Sequence, residues 1–367
     1  MIRIGEVILR ERTVRNLTQQ QLAEFLNVTK ATISKWEKGN SYPDITLLPL
    51  LAAYFDLSVD DLLNAKITMT KEEIRKWYRC FAERFSNEPY KVVLEDVSDL
   101  MKLYYDDDNF LLQMAILLIN HVEIAQDKAP INTLIEDALQ RVEVISTDVW
   151  IQRQVNVLLA TLALFNQNPA IVLERLGESI QPILGEEMLL SQAHEALGEV
   201  ENAKSVLQVM MYQQLLSLIG GGAAYLKLVL QDEEAFHETI RRVEGIIQLY
   251  QVEALHPNIA LQFYYAIAQF AAMKEDEALC RIYLEQFTAL ATTSLLPFKL
   301  KGDAYFTLLD DWFETLDLGA SALREDALIR ESLVKIVAHP IFKLYEPQEW
   351  FQQLQEKMKF AMGGSHE

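Results

Sequence analysis

Residues 18–63 read TQQQLAEFLNVTKATISKWEKGNSYPDITLLPLLAAYFDLSVDDLL, and their punctuation decides how the N-terminal part of the chain folds. Thr18 followed three positions later by Gln21 is a capping box, in which each side chain satisfies the other's backbone N–H. Leu22, Ala23 and Leu26 then supply the apolar face of a helix. A turn follows at Asn27-Val28, Thr29 caps a third helix over residues 30–38, and Gly39-Asn40 stops it. Two helices crossing steeply need a small residue at their contact, a turn residue that accepts a left-handed backbone, and apolar residues that seat the second helix on the first. Ala23, Asn27 and the set Val28, Ile33 and Trp36 fill those places. Upstream, Ile4, Val7, Ile8 and Glu11 keep helical spacing as far as Asn16. Downstream, Pro43 begins a segment in which Leu47, Leu48, Leu50, Leu51, Tyr54 and Phe55 make a further face, and Ser58 caps a last short helix ending at Leu63.

This ordered set of caps, small residue, turn and core positions resembles the Cro/phage-repressor (Xre) class of helix-turn-helix domains, departing from it at Asn27, where glycine is usual. On a helix starting at Lys30, the side chains of Lys30, Ala31, Thr32 and Lys35 fall on the outer N-terminal face while Ile33 and Trp36 turn inward. The resemblance implies base contacts from Lys30, Ala31 and Lys35, with Thr32 nearby. Lysine reaches guanine O6/N7, and Ala31 meets a thymine methyl. Gln19 opens the second helix, where its amide and the free N–H groups suit a phosphate. Lys38 and Asn40 are the phosphate contacts expected after the recognition helix. Trp36 reads as core, because stacking on bases requires unpaired strands. A domain of this fold kept only for dimerisation is the competing reading, and the polar outer face of Lys30, Ala31, Thr32 and Lys35 argues against it.

The charge distribution agrees. The net charge of the 367 residues is −20, yet residues 1–40 hold seven basic and four acidic side chains, and the balance through Lys66 is zero. All of the excess therefore falls in residues 67–367, and such asymmetry marks two jobs. Ten prolines and thirteen glycines are too few for an all-β chain, which needs turn residues every ~8–12 positions. An all-α protein is expected. Cys80 and Cys280 form no CxxC and no Cys/His cluster, and the N-terminus lacks an uninterrupted apolar core, so a cytoplasmic chain without disulfide framework, metal or cofactor is expected. Residues 205–226 are uncharged and long enough to cross a bilayer. Gln208, Gln213, Gln214 and Gly220-Gly221-Gly222 oppose that, and the stretch reads as a buried helix plus a turn, with no membrane contact.

Residues 64–70, NAKITMT, break the apolar pattern, and Thr70 with Glu73 opens a new helix. The expected organisation is a helix-turn-helix domain over 1–66, a linker over 67–70, and a helical regulatory and dimerisation domain over 71–367. Within the latter, polar turns followed by alanine recur at Ala170, Ala203, Ala235 and Ala278, at intervals of 33, 32 and 43 residues, bracketing the ~34-residue tetratricopeptide period. In residues 191–210, Gly198, Val200, Ala203 and Leu207 stand as that repeat's small and apolar positions would, although its closing proline is generally missing. An α-solenoid of tetratricopeptide-like hairpins is expected, with an irregular helical bundle as the alternative. Catalysis finds no constellation. The six histidines are scattered, the glycine triplet lacks the Lys-Ser/Thr of a P-loop, both cysteines lie among apolar residues, and Asp106-Asp107-Asp108 lacks the glycine and distal glutamate of a calcium loop and reads as a solvated turn. No enzyme is expected.

A Cro-like head on a tetratricopeptide-like body resembles the peptide-sensing transcription regulators of Gram-positive bacteria, the Rgg, PlcR and PrgX group. That resemblance implies a homodimer on a double-stranded DNA operator, with a short signalling peptide on the concave face of the body. Asn120, Asn156, Gln262 and Tyr265 are uncharged polar residues amid apolar ones, suited to pair with an extended peptide backbone. The alternative is a DNA-bound scaffold whose body binds a protein partner with no small effector.

Overall fold

The computed structural model describes residues 4–63 and 68–363. Among these the chain is all helix and loop, with one isolated bridge between Lys299 and Ser321. By contacts it divides into two compact units, one reaching Trp77 and including Tyr90–Glu178, the other comprising Tyr78–Pro89 and the described residues from Ser179 onward.

Five helices build the head: α1 (Ile4–Val14), α2 (Gln19–Phe25), α3 (Lys30–Glu37), α4 (Leu48–Phe55) and α5 (Val59–Leu63). Each boundary has a local cause. Thr18 and Gln21 form the reciprocal box, Thr29 accepts from the N–H of Thr32, and Ser58 accepts from that of Asp61. Asn16, Asn27 and Asp56 take positive φ of 54°, 55° and 53° after α1, α2 and α4, a conformation short polar side chains tolerate best after glycine. Ile4, Val7, Ile8, Leu22, Ala23, Ile33, Trp36, Leu51, Phe55 and Leu62 close one core. Leu50 does not join it; its side chain is exposed, because α4 buries the faces of Leu51 and Phe55 instead.

The body continues with α6 (Lys71–Asn87), α7 (Tyr90–Leu103), α8 (Asp108–His121), α9 (Ala129–Ile145), α10 (Val149–Phe165) and α11 (Pro169–Leu176). The expected break over 64–70 lies in part outside the described residues, since 64–67 are not among them. The Thr70 box is present, with Thr70 N donating to Glu73 Oε2 at 2.8 Å and Glu73 N to Thr70 Oγ1 at 3.3 Å. The expected solvated turn at Asp106–Asp108 is only partly so. Asp107 is buried, caps α8 through Phe110 N, and accepts from Met69 N at 2.6 Å. Burial pushes its carboxyl above the ordinary aspartate range.

The second unit holds α12 (Glu186–Ala196), α13 (Val200–Leu228), α14 (Glu233–Leu249), α15 (Val252–Leu255), α16 (Pro257–Met273), α17 (Glu277–Thr293), α18 (Leu309–Thr315), α19 (Asp326–Val337) and α20 (Glu349–Met362). The aligned alanines sit at helix starts. Gln167, Gly198 and Glu275 turn the chain with positive φ, and Asp232 and Asp276 cap α14 and α17. Helix α12 packs on α13, and α16 on α17, as neighbouring hairpins do. Residues 205–226 depart from expectation, because α13 passes through the glycine triplet without a turn. No described helix is long and apolar enough to cross a membrane. Cys280 is buried as expected, whereas Cys80 is exposed on α6.

Candidate nucleic-acid interface

Helices α2 and α3 present the site, and α1 fixes them from behind. A Cβ on Gly5 would lie 2.1 Å from the carbonyl oxygen of Trp36, so glycine alone lets α1 meet α3 backbone to side. Trp36 and Ile33 are buried beneath α3. On the opposite side Lys30, Ala31 and Lys35 are exposed and Thr32 is half-buried, its hydroxyl 2.8 Å from that of Thr29. Lys38 and Asn40 are exposed just past the helix, where Gly39 adopts φ 69° and Asn40 N donates to Lys35 O at 2.9 Å. Six of the seven residues expected to meet DNA thus border one surface of α3 and its C-terminal turn, or sit directly beside it.

The seventh, Gln19, is differently engaged. Its Nε2 donates to Glu37 Oε2 at 2.7 Å. Glu37 in turn accepts from Arg12, Nε to Oε1 at 2.6 Å and a second guanidinium nitrogen to Oε2 at 3.3 Å, while Arg12 also donates to Leu17 O at 2.7 Å. The two charged side chains are only 15% and 4% exposed. One buried carboxylate therefore clamps the start of α2 and the end of α1 to the end of α3. Sequence reasoning missed this clamp, because its members stand 18 and 25 positions apart with no local spacing to join them.

The basic front edge shrinks accordingly. Arg15 donates to Phe55 O at 2.5 Å and lies over the Phe55 ring. It also pairs with Glu11, which holds that carboxyl below its usual range. Arg10 pairs with Glu11 as well, and Arg3 lies outside the described residues. Lys30, Lys35 and Lys38 make no ion pair among the described residues, so the cations left for a polyanion gather on α3 and the turn after it.

The four residues expected to bind a peptide divide evenly between the two units. Asn120 and Asn156 belong to the first unit, Gln262 and Tyr265 to the second. Asn120 donates to Ile116 O in its own helix, and Asn156 exchanges hydrogen bonds with Arg175. Tyr265 is half-buried between Phe287 and Phe342, and Gln262 is exposed. No three or more His, Cys, Asp or Glu among the described residues group as metal ligands.

Comparison with known proteins falls on the head. Residues 8–62 match the helix-turn-helix family model. The chain is 41% identical over 73 residues to the HTH-type transcriptional activator BcrR of Enterococcus faecalis, covering 19% of this chain and 36% of that one. It is 35% identical over 60 residues to the SPbeta prophage-derived HTH-type transcriptional regulator YonR of Bacillus subtilis, covering 16% and 56%. The chain thus spans about a third and about half of these curated relatives. The apo form of the competence regulator ComR from Streptococcus vestibularis aligns with 86% of this chain and 98% of its own at 15% identity, with a TM-score of 0.26. The head, residues 8–62, is a helix-turn-helix domain of the Cro/phage-repressor (Xre) type.

Proposed function

We propose that the protein is a sequence-specific transcription regulator that reads a double-stranded DNA operator through α3. The observation that carries this is the division of α3 into a buried face, Ile33 and Trp36, and an exposed one, Lys30, Ala31 and Lys35, within a domain whose relatives are regulators. Lys30 and Lys35 reach base edges in the major groove, Ala31 meets a thymine methyl, and Thr32 supports them. Lys38, Asn40 and the N-terminus of α2 at Gln19 hold phosphates. Residues 1–66 form the DNA-binding part, 67–70 the linker, and 71–367 the part that dimerises and senses a short signalling peptide in the cytoplasm.

Selection of bound duplexes from a randomised pool, followed by affinity titration, tests the first step. Each of Lys30→Ala and Lys35→Ala should weaken the selected site by ~1–3 kcal/mol and relax its sequence at the bases read. Unchanged specific affinity in the double variant would overturn the assignment of α3. A second reading, a scaffold that places a protein partner on DNA, is favoured by Ile180, Ile183 and Leu184, which are 97%, 79% and 81% exposed in the second unit. Exposed apolar runs of this kind mark protein contacts.

A further inference from the structure

The second unit holds a cavity that the reading above leaves without a task. It measures about 400 Å³, within the ~300–1,000 Å³ of small-molecule sites, and lies where the end of α14 faces the loop after Gly302. Three aromatic rings wall it. Tyr250 and Phe306 stack with centroids 6.2 Å apart and planes 29° from parallel. Tyr305 stands edge-on to both, 6.2 Å from Tyr250 and 5.0 Å from Phe306. The acidic member is Asp303. Its Oδ1 accepts from the N–H groups of Tyr305 at 2.8 Å and Phe306 at 2.7 Å, while its Oδ2 makes no hydrogen bond among the described residues.

The loop is held before any ligand arrives. Gly302 N donates to Asp310 Oδ1 at 2.7 Å, and a Cβ on Gly302 would come within 2.1 Å of Phe306 O. Gln208 of α13 accepts from Leu308 N at 2.8 Å and donates to Tyr305 O at 3.2 Å. Little ordering is left to be lost on binding, which favours affinity.

Ring faces attract cations and repel anions, and a carboxylate beside them selects the same sign. A neutral apolar occupant would strip water from Asp303 and return nothing for it. A planar guanidinium can stack on one ring while donating two hydrogen bonds to a carboxylate, which a compact ammonium cannot. We propose that this cavity binds an arginine side chain of a peptide, with the guanidinium stacked on Tyr250 or Tyr305 and paired with Asp303 Oδ2. The chemistry of the pocket stands on its own; only the source of the arginine rests on the peptide-sensing reading.

The probe is Nα-acetyl-arginine amide, with the neutral isostere Nα-acetyl-citrulline amide beside it, titrated into the full chain by ligand-detected nuclear magnetic resonance. The arginine amide should bind at least about tenfold more tightly. Asp303→Asn keeps an oxygen for the two N–H groups, so the loop stays folded, and it should erase the difference between the two probes. Tyr305→Leu should weaken the arginine amide about five- to tenfold, whereas Tyr305→Phe should not. Equal binding of the two amides would overturn the proposal. So would an arginine preference surviving Asp303→Asn, since the acidic surface at large would then be its cause. The two readings fail separately. Binding of the amide without any host peptide that alters DNA affinity would leave the pocket standing and sink peptide sensing. A host peptide that acts equally on Asp303→Asn protein would do the reverse.

Discussion

At the residue scale the head depends on one buried carboxylate more than on any surface charge. Glu37 accepts from both Arg12 and Gln19 with almost none of its side chain in water. Removing one member of such a pair leaves the other charge desolvated, which costs ~3–5 kcal/mol, whereas replacing both by apolar groups of similar volume is often near neutral. Glu37→Gln should therefore raise the hydrogen-exchange rates of the α2 and α3 amides by at least about a hundredfold, and Arg12→Met with Glu37→Leu should return most of that protection. Equal exchange in Glu37→Gln and the unaltered protein would show that the clamp carries no stability. The contrast with Lys30 and Lys35 is instructive. Those two were legible because helix phase sorts the residues of α3 into inner and outer faces from the sequence alone. Arg12 and Glu37 were not, because a pair 25 positions apart becomes neighbours only once α1 has closed on α3 at Gly5.

Among the elements, caps and turns were the readable part of the sequence. Thr18, Thr29, Ser58 and Thr70 act where local hydrogen bonding alone places them, and Asn27 takes the left-handed turn. The glycine triplet misled for a physical reason. Each glycine in a helix interior costs ~1 kcal/mol against alanine, which argues for a turn, but burial of Leu215 and Ile219 before the triplet and Leu226 after it holds α13 in one piece. The missing side chain at Gly222 admits α14, since a Cβ there would lie 2.6 Å from Val243 Cγ2. Gly221 faces open space by the same measure. Gly221→Ala should thus stabilise the second unit by ~0.5–1 kcal/mol through helix propensity. Gly222→Ala should destabilise it by ~1–3 kcal/mol through overpacking against a stiff β-branched neighbour, and Val243→Ala in the same chain should relieve the strain. Thermal melts of the four proteins check this, and a rise in melting temperature on Gly222→Ala would mean that the two helices are free to part. For two of the four peptide candidates the structure shows partners close at hand. A polar residue amid apolar ones says that a side chain sits at a helix surface, but Asn120 and Asn156 satisfy themselves on nearby carbonyls, as most side-chain amides do.

At the scale of the whole molecule, the proposed function asks an acidic chain to bind a polyanion, and the structure narrows the charges available for it. Of the basic residues in the first forty positions, Arg12 and Arg15 are committed inside the head and Arg10 is paired with Glu11. Among the described residues that leaves Lys30, Lys35 and Lys38 in each head, Arg3 lying outside them. Binding to duplex DNA releases condensed counterions in proportion to the protein cations brought into the field of the phosphates, those reaching base edges included, with a slope of log affinity against log salt of about −0.9 per cation. One head would then give a slope of about −3, and two heads on paired half-sites about −5. Titration of the selected operator between ~50 and 200 mM salt separates the two without measuring the size of the complex. Lys38→Ala removes one cation per head and should flatten the slope by about 2 units if the protein binds as a dimer and by about 1 if it binds singly, with little change in which sequence is preferred. A slope steeper than about −8 would mean that the complex recruits cations beyond these three lysines. A slope near −3 that falls by about 1 in Lys38→Ala would remove the homodimer from the proposed function. A slope near −5 that falls by about 2 ties two copies of α3 to one operator, because no single head among the described residues holds enough unpaired cations to produce it.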